Sequence, residues 1–357
     1  MSRSAENSGT IAVREAHRFD PSRLERFMAR EVPGFAGPLT VEQFKGGQSN
    51  PTYKLITPSR SYVLRRKPPG KLLPGAHAVD REYRVIEALG RQKFPVAEAL
   101  ALCLDEGVIG TAFYIMEMVE GRIFWDITLP ELSAAERPLH FEAMNATIAE
   151  LHRIDPEAVG LGDYGKPGNY FARQIGRWSK QYLGDVEAGR LASMDRLVEW
   201  LPENIPADEG EARIIHGDFR CDNMIFHSSE PRVVAVLDWE LSTLGHPLAD
   251  FAYHLMMYRM PKGMSAGLAG EDLRALNIPS ESDYVAAYCE RTGRSGIPDL
   301  DFYIAFNMFR LAAILHGIKG RIARGTAASA HAGKMVAGLE PLADLAWEQA
   351  RRAGAWT

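Results

Sequence analysis

Between Ile214 and Asp250 the chain reads IIHGDFRCDNMIFHSSEPRVVAVLDWELSTLGHPLAD, and two constellations here constrain the fold more than any other feature. The first is His216-Gly217-Asp218, with Asn223 five residues beyond the aspartate. The second is Asp238-Trp239-Glu240, whose aspartate lies fifteen residues after Asn223, behind the apolar run Val233–Leu237. A second apolar run, Met224–Phe226, and the turn residues Ser228, Ser229 and Pro231 separate them. The pattern is loop, short strand, turn, short strand, loop. Such a hairpin would hold Asp218, Asn223 and Asp238 close together at one end.

Phosphoryl transfer is the chemistry that needs this set. A hydroxyl nucleophile must be oriented, and its proton accepted, by a carboxylate on a rigid loop, a role Asp218 fits. Metal ions bridging nucleotide phosphates need hard oxygen ligands, which the Asn223 amide and the Asp238 carboxylate supply. Protein kinases order the same groups in the same way, with D-F-G where this chain has D-W-E. A lone H-x-D would read as a loop satisfying its own backbone groups. Two motifs in this order do not.

H-G-D-x-x-x-x-N followed by L-D-W-E resembles the aminoglycoside phosphotransferase superfamily, which includes choline kinase-like enzymes and is related to protein kinases. GGQSNPTYKL, YVLRRKPPGKLLPGAHAVDREYRVIEAL and STLGHPLADFAY are similar to the kinase-like domain found beside, or fused to, acyl-CoA dehydrogenases. The resemblance covers about residues 20 to 350. It implies a two-lobed kinase-like α+β fold: a five-stranded antiparallel sheet plus a helix in the N-terminal lobe, and a mostly helical C-terminal lobe. It also implies ATP and Mg2+ as cofactors, with the nucleotide at the hinge.

Composition agrees with this class. The 357 residues, 46% hydrophobic and 24% charged, suffice for two lobes. A net charge of −5 gives no reason to expect nucleic acid or an anionic membrane as partner. Cys103, Cys221 and Cys289 are odd in number and scattered, the usage of a reducing cytoplasm. The first ten residues, MSRSAENSGT, are too polar for a signal peptide, and residues 1–19 are expected to be mobile. Phe302–Ile318 contains Asn307, Arg310 and His316, so it reads as a core helix and not a membrane span.

The N-terminal lobe is expected over residues 20–118. Pro21 opens a helix with Asp20 as its N-cap. Leu39–Phe44, Thr52–Ile56 and Tyr62–Arg65 follow as strands, then a helix at Ala78–Leu89 and strands at Ala99–Leu104 and Ala112–Met118. The resemblance makes KGGQSNP the loop over the nucleotide phosphates, with Gly46, Gly47, Ser49 and Asn50 as donors. Alternation along YVLRRK puts Arg65 on one face and Arg66 on the other. Arg65 stands where kinases carry the strand lysine, and Glu82 where they carry its helix partner. Arg66 and Lys67 are expected at a solvated edge. Residues 119–121 are expected to be the hinge, with Glu117 and Val119 offering backbone bonds to an adenine edge.

Residues 122–357 form the second expected lobe. Ser133 and Glu136 have capping-box spacing before a helix to Arg153. GLGDYG at 160–165 matches G-x-G-x-x-G literally but follows no strand and opens no helix, so it is a decoy. Pro247 starts a helix through His254, with Asp250 supporting the catalytic loop. Met256–Asn277 is expected to be a mobile loop over the cleft. Asp218 is the expected base, Asn223 and Asp238 the metal ligands, Glu240 their support, His216 a buttress and Arg220 a reach toward phosphate or substrate. The acceptor is a small molecule with a hydroxyl, a hydroxy acid or its CoA thioester by resemblance. Arg310 is its candidate carboxylate partner, flanked by Phe306 and Phe309. An aminoglycoside or choline-type kinase and a catalytically silent kinase-fold module are the alternatives; the module is disfavoured because Asp218, Asn223 and Asp238 are all present.

Overall fold

A computed structural model describes residues 8–45, 50–70, 77–166, 168–207, 212–264, 267–326 and 332–356. Compact packing divides the chain into two units, each assembled from separate stretches. The first comprises residues 1–125, 157–164 and 220–242, the second residues 126–156, 165–219 and 243–357. The grouping differs from a single cut at 119–121, because the Asn223–Asp238 hairpin belongs with the N-terminal sheet. Chain passes between the units at Phe219 and Arg220, inside the H-x-D-x-x-x-x-N motif.

The first unit is built on an antiparallel sheet. Its strands are β1 (Thr10–Ile11), β2 (Thr40–Phe44), β3 (Thr52–Ile56), β4 (Ser61–Arg66), β5 (Ala99–Cys103) and β6 (Phe113–Glu117). They stand in the order β1-β2-β3-β4-β6-β5. The α+β class is as expected, but among the described residues the sheet has six strands where five were anticipated. β1 is two residues long, too short for any alternation to signal, and pairs Thr10 with Phe44 and Ile11 with Gln43. Helix α1 (Pro21–Glu31) starts where the Asp20 carboxylate accepts from the Ser22 amide at 2.9 Å. Its Leu24, Phe27 and Met28 pack with Tyr53, Tyr62, Leu64, Phe113 and Ile115 on one face of the sheet. Helix α2 (Val79–Arg91) buries Val79, Glu82, Val85, Ile86 and Leu89.

Arg66 corrects one expectation. β4 is central, between β3 and β6, so it has no solvated edge. Arg66 is buried instead, donating to Thr111 Oγ1 at 2.8 Å with its guanidinium 5.5 Å from the Phe19 ring. Burial holds that guanidinium below its ordinary value. Lys67 is half-buried just past the strand end.

The first unit also carries the hairpin Met224–Phe226 paired with Val233–Val236. A two-way backbone bridge at 2.8 Å between Arg122 and Phe226 ties it to the segment after β6. Gly121 allows that approach, since a Cβ there would run into the Phe226 carbonyl and Ile225.

The second unit is helical: α3 (Arg137–Arg153), α4 (Tyr170–Gly184), α5 (Ala192–Glu203), α6 (Pro247–Arg259), α7 (Leu273–Leu276), α8 (Glu281–Thr292), α9 (Leu300–Ala323), α10 (Ala332–Val336) and α11 (Leu339–Arg352). A ribbon of Arg213–Ile215 with Thr243–Gly245 carries the approach to the H-G-D motif. The 160–165 decoy forms turns, not a strand-to-helix junction. The expected Met256–Asn277 loop is corrected in part. Met256 and Met257 are buried in α6, because this helix is buried on every side and continues to Arg259. Arg310 and His316 are buried in α9, the core helix expected from the sequence. Among the described residues no helix is long and apolar enough to cross a membrane.

Candidate active site

The first unit gathers its functional side chains around Arg65. Alternation along β4 turns Arg65 away from the Tyr62 and Leu64 core and toward α2. Its Nε lies 2.7 Å from Glu82 Oε2, a charge contact without an aligned hydrogen bond. Its Nη2 donates to Asp238 Oδ1 at 2.6 Å and reaches Glu240 Oε2 at 3.5 Å. Both members of the inner pair are buried, Arg65 to 8% and Glu82 to 1% exposure. Burial opposes the guanidinium charge, yet Glu82 and Asp238 more than offset it, so Arg65 is held above its ordinary value. Burial pushes the Glu82 carboxyl up, and Arg65 pulls it back down in part.

Glu82 is held from two further sides. Tyr114 Oη donates to its Oε2 at 3.1 Å, and Asn50 Nδ2 donates to its Oε1 at 2.8 Å. Asn50 Oδ1 lies 2.9 Å from His77 Nδ1 and, as the amide oxygen, accepts from it. The structure therefore relocates Asn50. It is fully buried with its side-chain amide on Glu82 and His77, where the sequence suggested a donor to phosphate. Gly46, Gly47 and Ser49 lie outside the described residues. The Glu117 amide is committed to the Glu98 carbonyl at 2.9 Å, so it offers no N–H to an adenine; Val119 lies beyond the strand end.

The hairpin holds Asn223 and Asp238 together. Leu237 N donates to the Asn223 carbonyl at 2.8 Å, which holds Asn223 and Asp238 at one end of it. Asp238 is left-handed, φ 64° and ψ 62°, a conformation aspartate tolerates better than most residues. Trp239 anchors the turn behind it: the indole is buried, donates to the Val236 carbonyl at 3.0 Å and meets the Phe94 ring edge-on. Arg220 pairs with Asp222 at 3.1 Å. Among the described residues no three His, Cys, Asp or Glu side chains form a metal-binding group. Two protein oxygens suit Mg2+, which keeps water and phosphate oxygens for the rest of its shell.

Asp218 belongs to the second unit, where α6 holds the loop before it. The two Asp250 carboxylate oxygens accept the His216 amide at 2.8 Å and the Gly217 amide at 2.7 Å. His152 Nε2 lies 3.2 Å from the same carboxylate. Burial works against the Asp250 charge, but His152 and these amides hold it below the ordinary carboxylate range. Gly217 takes φ +84°, so the turn to Asp218 needs glycine. The Arg310 guanidinium donates to the Gly217 carbonyl. Tyr253 Oη donates to Asp218 Oδ1 at 2.5 Å. His246 caps α6 by accepting from the Leu248 amide at 3.2 Å. Sequence reasoning found Asp250 and missed Tyr253, His77 and Tyr114. The only available signal was cross-strand position: Tyr114 is the β6 partner of Arg65.

Asp250→Asn tests the support. An asparagine oxygen can accept one loop amide but presents an NH2 to the other, leaving a buried donor unsatisfied. A loss of about 1–3 kcal/mol in unfolding free energy is expected, measured by denaturant titration. Wild-type stability in this variant would contradict the bonding described.

A model of the phosphotransferase enzyme family matches residues 40–288. Acyl-CoA dehydrogenase family member 11 of Gallus gallus is 44% identical over 352 residues, 96% of this chain. The chain spans only 45% of that relative's length. A solved structure of a candidate aminoglycoside phosphotransferase from Ralstonia eutropha is 52% identical, covers 94% of this chain and 99% of its own, and superposes with a TM-score of 0.86. A thermostable aminoglycoside phosphotransferase mutant, solved with ADP and hygromycin B, is similar in fold, with a TM-score of 0.59 at 15% identity over 94% of this chain and 99% of its own.

Proposed function

The chain belongs to the phosphotransferase enzyme family, and on that premise we propose that it moves the γ-phosphate of ATP to a small-molecule hydroxyl in a Mg2+-dependent reaction. The observation that carries this reading is Arg65, buried and charged between Glu82 at 2.7 Å and Asp238 at 2.6 Å. Its fork can meet the α- and β-phosphates while Glu82 fixes its stem. Asn223 and Asp238 would hold Mg2+, which when bound would neutralise negative charge on the transferring phosphate. Asp218 orients the acceptor hydroxyl and takes its proton as the acceptor oxygen bonds to phosphorus and the bond to the ADP oxygen breaks. The fold neighbour solved with ADP and hygromycin B supports a nucleotide and a small molecule as the ligand pair.

The acceptor proposed is a hydroxy acid or its CoA thioester. The support is that the chain matches 45% of a protein named for acyl-CoA chemistry. Arg310 is no longer its partner, because its guanidinium is buried and donates to Gly217. An aminoglycoside is the second reading, favoured by the description of the 52% identical structure. ADP release measured against hydroxy acids, hydroxyacyl-CoAs, choline and aminoglycosides separates them. Hydroxyacyl substrates should stimulate release well above ATP alone. Stimulation by aminoglycosides or choline would replace the acceptor, and ATP binding without turnover on any acceptor would favour a binding module.

A further inference from the structure

One face of α6 engages the catalytic loop residue by residue. Asp250 takes the amides of His216 and Gly217, Tyr253 donates to the Asp218 side chain, and His254 Nδ1 lies 3.2 Å from the Phe219 carbonyl. Positions 250, 253 and 254 are three and four apart, so they share a helix face. Burial pushes His254 down to about 4, so it is neutral at pH 7. Its Nδ1–H then donates to Phe219, and its Nε2 accepts from Tyr284 Oη at 2.7 Å. Each of the four loop residues thus has a partner from this helix.

Of these side chains, Tyr253 donates to the base itself. It is buried to 8% exposure, and the Arg310 guanidinium lies 5.2 Å from its ring centroid. Arg310 also donates to the Gly217 carbonyl, so one arginine on α9 braces both the tyrosine ring and the loop.

We infer that Tyr253 is a positioning residue for the base: its hydroxyl donates to Asp218 Oδ1 and helps hold the carboxylate toward the acceptor, with Arg310 bracing the tyrosine. This rests on the phosphotransfer reading. In the step, the acceptor O–H breaks and its proton bonds to the Asp218 carboxylate. The acceptor oxygen bonds to the γ-phosphorus, and ADP leaves with the electrons of the broken P–O bond. Without the tyrosine hydroxyl the carboxylate loses one donor that orients it, and productive orientations become a smaller share of those it visits.

Tyr253→Phe keeps the ring under Arg310 and removes only the donor. Its kcat should fall roughly ten-fold, the order expected for a lost hydrogen bond to a charged group, while the ATP KM stays as in wild type. Arg310→Lys should lower kcat less. The double variant should lose little more than Tyr253→Phe alone, since both act through Asp218. An unchanged kcat in Tyr253→Phe, or a rise in ATP KM with kcat intact, would overturn the inference. Should Tyr253→Phe not fold, 4-fluorophenylalanine at position 253 decides. It fills the place of the hydroxyl but cannot donate, so a lowered kcat at unchanged ATP KM supports the inference and an unchanged kcat overturns it. Wild-type protein that transfers no phosphate to any acceptor defeats the phosphotransfer reading instead; active wild type with an indifferent Tyr253→Phe defeats only this one.

Discussion

Asp218→Asn is expected to lower kcat for phosphoryl transfer by about 10²–10⁴-fold, the range for a lost general base, and to leave the ATP KM nearly unchanged. Asparagine keeps the volume, and its oxygen can still accept the Tyr253 hydroxyl that donates to Asp218 Oδ1. The loop anchors on Asp250 do not involve the Asp218 side chain, so the fold should survive. What the variant loses is a group basic enough to take the acceptor proton. Steady-state kinetics with varied ATP and varied acceptor separate the two constants. Wild-type turnover in this variant would show that Asp218 is not the base.

Arg65→Met is the second large effect. Removing this cation leaves Glu82, at 1% exposure, buried without its charge partner, and leaves Asp238 without the donor it has at 2.6 Å. Breaking a buried pair in this way costs roughly 3–5 kcal/mol, so a clear fall in unfolding free energy is expected. Nucleotide affinity should fall as well. Arg65→Met combined with Glu82→Leu should recover much of the stability, because no buried charge is then stranded, but not the nucleotide affinity. A single variant as stable as wild type would mean that Glu82 is already protonated in the native protein. Recovery of both properties in the double variant would mean that Arg65 does not serve the nucleotide.

The parts of this architecture legible in the sequence are those encoded over short distances. Asp20 ahead of Pro21 marks the start of α1, and the turn residues between Phe226 and Val233 mark the hairpin. Strand alternation separates Arg65 from Tyr62 and Leu64, and the spacing of H-G-D, Asn223 and D-W-E identifies the family before any fold is seen. The less legible parts depend on the third dimension. Arg65 and Asp238 are 173 residues apart in sequence, and nothing local to either predicts their contact. Arg66 appeared solvated because its sequence is basic; only the strand order places β4 in the middle of the sheet. Tyr253 lies in a helix buried on every side, so burial does not distinguish it from core. Asn50, beside a glycine-rich loop, looks like a phosphate donor until Glu82 and His77 are seen to occupy its amide. In each instance a polar side chain was satisfied by a partner that sequence distance concealed.

The most direct measurement is a phosphorus NMR time course of the wild-type chain with Mg2+, ATP and a hydroxyacyl-CoA, alongside Asp218→Asn. A growing phosphomonoester resonance matched by ADP is expected, with neither in the variant beyond about one part in a hundred of the wild-type rate. Inorganic phosphate as the sole new signal, or a phosphomonoester formed equally fast by both proteins, would contradict it.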